Sequence, residues 1–513
     1  MKEQQKPLRM AGILAHPTSF PSPYGIGDFG SGTYEFLDFL AAAGQKLWQV
    51  LPLGHTGYGD SPYQSFSAFA GQPLLVSPEK LLEQGLLTEE DLKDTPEFSQ
   101  DKVDYGPVIT WKTALFHIAC ERFRKSSSQN QKEDFQAFCS READWLEDYA
   151  LFMAAKDARK GRSFLEWPAS DRRLTPELRK NWSADLAEGI YYYKFIQFLF
   201  FQQWNEVRSY AATKGILIVG DIPIFVSMDS ADVWAQPHLF QLDSKGFPTA
   251  VAGVPPDYFS EDGQLWGNPL YNWAAHKKEG YQWWIKRISH QLKQVDYLRI
   301  DHFRGFEAYC SIPYGETTAR KGKWVKGPDA DLFRAIRSAL GDSLPIWAED
   351  LGVITPEVEK LRDDFGFPGM KVLQFGFENE DDSSMLPHNF TTANCICYTG
   401  THDNDTALGW YLSMDEGLQD RVRRYMNTDA RMIHLDFIRT ALGSVARYAV
   451  YPIQDVLGYG SDCRMNTPSV PSGNWQFRFR KDALSPGLAQ YLKEMAVLYG
   501  RFSPDNSPEP EED

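Results

Sequence analysis

Short apolar runs recur along this chain, separated by longer stretches in which apolar residues return every three or four positions. The runs cover 12–16, 47–53, 216–224, 297–301, 346–350, 371–377, 395–401 and 450–457. Their lengths and the turn residues around them predict eight buried strands. The stretches between them include 33–43, 281–292, 330–340, 356–364 and 419–442, where the spacing predicts helices. Strands and helices alternating in this way predict an α/β architecture, a (β/α)8 TIM barrel.

Two intervals are too long for a single crossover helix. Between about 54 and 215 the pattern predicts amphipathic helices at 108–124, 131–160 and 190–213; between about 225 and 294 a loop rich in Gly, Pro and aromatics comes first. Both are expected to be mainly helical insertions over the C-terminal face of the barrel, where the loops after each strand build a site. No internal repeat or interdomain linker stands out, so 1–513 reads as a single barrel domain. Its Pro-rich, acidic end, 503–513, is expected to be a disordered tail.

Most of the later runs end in an acid: Asp221, Asp301, Glu349 with Asp350, Asp403 with Asp405, and Asp455. Unpaired carboxylates are costly to bury. Such a set is either a structural network with arginines or a catalytic ring on the face where barrel chemistry occurs. The most informative run is Tyr297-Leu298-Arg299-Ile300-Asp301-His302-Phe303-Arg304-Gly305. Side chains alternate along a strand, so Arg299 and Asp301 point to one side, and a guanidinium beside a carboxylate favours its ionised form. Taken alone this is a structural ion pair.

Set beside Glu349 and Asp403, the same pair becomes a candidate for glycosidic chemistry. One acid must stay ionised and attack the sugar carbon, while another holds a proton for the leaving oxygen. Glu349, next to Trp347, Ala348 and Asp350, is expected to titrate high through desolvation and like charge. A retaining pair would hold the Asp301 and Glu349 carboxyls about 5–5.5 Å apart. Asp403 could hold ring hydroxyls or offset positive charge. His402 reads equally as a hydroxyl partner or a packed histidine. Two Gly- and Pro-dense aromatic segments suit a sugar groove, one at 57–64 and the other at 253–259 running on to 263–268.

Charge narrows the partners. Against 69 acidic residues stand 53 basic ones, a net −16, which disfavours nucleic acid and anionic membrane. The aromatic segment 190–204 is interrupted by Lys194, Gln197, Gln202 and Gln203 and reads as a buried helix, not a membrane span. Residues 1–9 lack the apolar core of a secretion signal. Six cysteines without CxxC or metal-ligand spacing suggest a reducing, cytoplasmic setting.

These residues resemble those of the 4-α-glucanotransferases known as amylomaltases or disproportionating enzymes, glycoside hydrolase family 77. The resemblance runs from His16-Pro17-Thr18-Ser19-Phe20 through Gly25-Ile26-Gly27-Asp28-Phe29-Gly30 to Arg464-Met465-Asn466 and Gly473-Asn474-Trp475, nearly the whole chain. It implies Asp301 as nucleophile, Glu349 as general acid/base and Asp403 as transition-state stabiliser. It also implies that Arg299 and His402 bind the transferred sugar with Asp221, Ser61 and Tyr63 nearby. Tyr258, Gln264, Trp266, Phe375 and Asn466 would contact glucan along the groove, with Tyr58 at a second glucan site. The loop at 255–260 would arch over the groove and favour an acceptor sugar over water.

The implied partners are malto-oligosaccharides, amylose or other α-1,4-glucans. No cofactor, no obligatory metal and no C-terminal β-domain are implied, and long glucans could also be cyclised. Two positions depart from the family pattern. Cys310 stands where tryptophan is expected, bearing on the packing behind strand four, and His55 stands where proline is common, bearing on the first loop.

Three other readings compete. A hydrolase with the same acids would let water attack the glycosyl-enzyme. A catalytically silent glucan-binding protein would share the groove. A dinucleotide-dependent oxidoreductase would use Gly25-Ile26-Gly27-Asp28-Phe29-Gly30 as GxGxxG, but Pro17, Pro21 and Pro23 separate these glycines from the strand and 45–53 lacks the expected acid.

Overall fold

The computed structural model describes residues 9–256, 261–378 and 383–503. Eight parallel strands form one sheet: β1 (Met10–Leu14), β2 (Leu47–Gln49), β3 (Leu217–Pro223), β4 (Tyr297–Asp301), β5 (Ile346–Ala348), β6 (Gly369–Val372), β7 (Cys395–Tyr398) and β8 (Tyr448–Pro452). They pair in the order β6-β7-β8-β1-β2-β3-β4-β5. At the remaining seam the Ala348 N–H donates to Pro368 O at 3.0 Å, just before β6 begins. The barrel is thus nearly closed. β1 and β8 are buried at every position, as strands covered on both faces must be.

Some boundaries differ from the sequence expectation for a common reason. The run 371–377 divides into β6 and a helix, Leu373–Glu378, and the run 450–457 into β8 and a helix, Ile453–Leu457. Both halves are buried, so no change of hydrophobic period marks the switch. Predicted helix 419–442 is two helices, Glu416–Met426 and Ile433–Gly443, because Asn427 ends the first in a left-handed conformation. Predicted helix 131–160 is also two, Gln129–Arg141 and Ala143–Ala158, meeting at Glu142.

Five helices of ten residues or more lie between β2 and β3, the longest being Ala187–Thr213. The segment between β3 and β4, expected to be mainly helical, instead contributes strands Ala250–Val254 and Gln264–Pro269 to a four-stranded antiparallel sheet. Strands Ala308–Pro313 and Lys323–Lys326, from the connection after β4, complete it. Glycines and a uniformly exposed edge strand hid this sheet from pattern reading. Cys310 lies inside it, packed with Val251, Ile312 and Ala319, and so bears on the packing of this sheet and not on that behind β4.

His55 is fixed by a 2.7 Å bond between its Nδ1 and the Tyr149 hydroxyl, which ties the loop after β2 to the Ala143–Ala158 helix. Burial pushes its pKa down to about 3, so the ring is neutral. The GxGxxG segment serves packing. The Gly27 N–H donates to Thr18 O at 2.9 Å, and Asp28 is buried against Lys112 at 2.9 Å. A Cβ on Gly27 would lie 2.0 Å from Pro17 O. Gly27→Ala is therefore expected to lower stability by about 1–3 kcal/mol in denaturant melts; an unchanged midpoint would show that the turn can relax.

Among the described residues no strand follows Pro452, and the segment ends in the helix Pro486–Leu498. No helix there is long and apolar enough to cross a membrane.

Candidate active site

The strand register builds the centre of the site. Asp221 on β3 is the direct partner of Arg299 on β4, and Arg299 shares its side of β4 with Asp301 two residues on. One guanidinium therefore serves two carboxylates: Nη1 donates to Asp221 Oδ2 at 2.6 Å and Nη2 to Asp301 Oδ1 at 2.9 Å. The Tyr63 hydroxyl donates to Asp221 Oδ2 at 2.8 Å. The Asp221 side chain is fully buried, whereas that of Asp301 is 30 % exposed.

Arg299 was expected to hold Asp301 low. Its guanidinium is shared, and burial pushes Asp301 above the usual carboxylate range despite it, with Asp221 and Asp403 adding to the rise. Burial alone would lower Arg299, but the two carboxylates hold it firmly charged. Arg299→Ala would strand Asp221 as an uncompensated buried charge, for an expected loss of about 3–5 kcal/mol. Chemical denaturation near neutral pH measures this; a loss below about 1 kcal/mol would mean that the buried site relaxes around Asp221.

Glu349 follows β5 directly, its N–H still pairing with Ile300 O at 3.1 Å. His302 adopts a left-handed conformation (φ 55°, ψ 48°), and its N–H donates to Glu349 Oε2 at 2.6 Å. The Leu351 N–H donates to Oε1 at 2.8 Å. Burial, followed by the nearby Asp301, pushes Glu349 up to about 8. The like charge thus comes from Asp301 and not, as expected, from Asp350. That side chain bonds Arg362 at 2.5 Å and the Met370 N–H at 2.7 Å.

Asp403 and His402 sit beyond β7. Asn466 Nδ2 donates to Asp403 Oδ1 at 2.6 Å, and His402 Nε2 lies 3.3 Å from the same oxygen. Arg464 donates to Asp403 O and, through Nε, to Asn466 O at 2.7 Å. The His402 ring stacks on Tyr63 with centroids 5.1 Å apart, and Trp475 stands 5.9 Å from each. Three segments distant in sequence thus build an aromatic wall beside Asp221 and Asp403, an arrangement suited to a polyhydroxylated ring.

Other predicted positions vary. Ser61 Oγ accepts the Tyr63 N–H at 3.3 Å, beneath this wall. Trp266 donates to Gln264 Oε1 at 3.0 Å and meets the His302 ring edge-on at 4.8 Å. Phe375 is half-buried on the helix after β6, packed against the core. Tyr258 and the Tyr58 side chain lie outside the described residues. Asp455 and Asp405 do not join the ring: Asp455 accepts from Thr399 Oγ1 and the Ala407 N–H, and Asp405 from Ser461. Arg464, Trp475 and His16, the last buried near His402, stand in the sequence only as motif residues. Nothing in their local spacing marked them as supports.

A model of the 4-alpha-glucanotransferase family matches residues 15–484. The chain is 49% identical over 495 residues to the 4-alpha-glucanotransferase of Synechocystis sp., covering 96% of this chain and 98% of the relative. It is 49% identical over 501 residues to that of Thermus thermophilus, with 96% and 99% covered. Amylomaltase from Streptococcus agalactiae, solved in complex with acarbose, superposes with a TM-score of 0.93 at 41% identity over 96% of this chain and 100% of that one. The family model, these relatives and the shared barrel show that the chain belongs to the 4-alpha-glucanotransferase family, glycoside hydrolase family 77.

Proposed function

We propose that the protein moves α-1,4-glucan segments between malto-oligosaccharides by a retaining double displacement. Asp301 attacks the anomeric carbon of the donor while Glu349 gives its proton to the departing glycosidic oxygen. The first product leaves with a free 4-hydroxyl, and the segment stays on Asp301 as a glycosyl ester. Glu349, now ionised, takes the proton of an acceptor 4-hydroxyl as that oxygen displaces Asp301 and restores the α-linkage. Asp403 holds ring hydroxyls and offsets positive charge at each transition state.

The observation that carries this reading is the unequal setting of the two acids. Asp301 has an arginine at 2.9 Å, whereas Glu349 is pushed up to about 8 and retains its proton near neutral pH. Tyr63, Asp221, Arg299, His402 and Ser61 would then hold the transferred sugar. Gln264, Trp266, Phe375, Asn466 and Tyr258 would follow the glucan along the groove, with Tyr58 at a second glucan site. Family membership supports α-1,4-glucans as the substrate class. A long segment whose own end enters as acceptor would be cyclised by the same step. Six free cysteines are consistent with a cytoplasmic setting.

Maltotriose is the test. Transfer yields glucose and a ladder of longer oligomers with a constant number of reducing ends. A steady rise in reducing ends would identify a hydrolase instead.

A further inference from the structure

A cavity of about 440 Å³ lies outside the barrel, between the Ala143–Ala158 and Gln282–Leu292 helices and the loop after β2. Its size falls within the about 300–1,000 Å³ typical of small-molecule sites. Phe69, Trp145 and Trp283 line it. The Phe69 and Trp145 rings lie nearly parallel, 13° apart with centroids at 6.3 Å, and Trp283 meets Phe69 edge-on at 6.1 Å. The buried Trp283 indole N–H faces Asp232, whose carboxylate also accepts the Ala68 N–H at 2.8 Å.

The charges of the wall exclude anionic ligands. Carboxylates outnumber the lysines and arginines lining it, and two of those cations are already matched: Lys286 with Asp144 at 2.6 Å and Arg141 with Glu142 at 3.0 Å. A phosphate or carboxylate ligand would meet net repulsion. A neutral polyol meets aromatic surface for its C–H faces, with acceptors and an amide for its hydroxyls. Glu142 and Gln282 supply these, Glu142 being already oriented by Trp145 Nε1 at 2.8 Å.

We propose that this cavity is an accessory site for one or two glucosyl units of an α-1,4-glucan. The inference rests on the glucan reading of the active site. It also places the ligand against the loop that carries Tyr63. Ala231, Asp232 and His290, all in the cavity wall, clamp that loop through Phe66 O at 2.8 Å, the Ala68 N–H at 2.8 Å and Phe69 O at 3.0 Å. A bound sugar would therefore stiffen the segment that presents Tyr63 to Asp221.

The test uses the full chain carrying Asp301→Asn, so that glucan is bound without turnover, labelled with 5-fluorotryptophan and titrated with maltotriose. Single Trp→Phe replacements assign the fluorine resonances. The expected result is that Trp145 and Trp283 move along with Trp266 of the groove. Ser289→Phe, which fills the cavity, should remove the first two responses and leave the third. Ala235→Phe fills it from another wall should Ser289→Phe not fold. If Trp266 moves while Trp145 and Trp283 stay still, the accessory site is refuted and the groove reading stands. Persistence of all three responses in both filled variants would also refute it. If no resonance moves, the glucan reading itself fails.

Discussion

Asp301→Asn is expected to reduce transfer from maltotriose by about 10⁴-fold or more, the scale of losing the nucleophile of a covalent mechanism. Glucan binding should stay within about tenfold, because the amide oxygen can still accept from Arg299 and Asp221 keeps the other arm of the same guanidinium. Stability should change little. A second consequence follows from the charge removed: Asp301 is a cause of the high Glu349 pKa, after burial, so Glu349 in the variant should titrate lower than in the parent. Carboxyl-labelled NMR of the glutamates reads that shift. Turnover within tenfold of the parent would exclude Asp301 as the nucleophile.

Glu349→Gln should lose about 10²–10⁴-fold in turnover, the usual reach of general acid–base catalysis. The loss should shrink in the first step for a maltosyl donor whose leaving group needs no proton. In the parent, activity should fall above about pH 8 as Glu349 loses its proton, and on the acid side as Asp301 gains one; the two limbs belong to the coupled pair. The variant should lack the alkaline limb.

Stability should move the opposite way to activity. A carboxyl raised in the folded state holds a proton that the unfolded chain has released, so the parent loses stability as pH rises from about 4.5 toward 8. Glutamine removes that cost. The expected gain is about 1–4 kcal/mol near pH 8, vanishing below about pH 4.5. Thermal melts across this range measure it, and a gap that does not change with pH would show that Glu349 titrates normally.

The barrel was legible because each strand is a short apolar run bounded by turn residues. β4 was read without error since Asp301 and the polar turn after it mark its end. The four-stranded sheet was not legible: its strands are short, glycine-interrupted and partly exposed, and they pair segments from before and after β4. The acids could be found as strand-end carboxylates, but their sorting could not. Asp350 and Asp455 look like Glu349 and Asp403 in sequence, and only tertiary partners, Arg362 and Thr399, take them out of the ring. The source of the Glu349 shift was misassigned for the same reason, since adjacency along the chain says little about which charges face each other across strands.

Asp403 depends on Arg464 and Asn466, some sixty residues further along the chain and beyond the last barrel strand. The order of synthesis gives that contact a meaning of its own. When β7 leaves the ribosome, Asp301 and Glu349 already exist, but of the groups that hold the third acid only the neighbouring Thr401 and His402 do. A nascent chain should therefore stay inert toward surrounding glucan until nearly all of it has emerged, and a product cut short before Arg464 would accumulate without activity even if its barrel had formed.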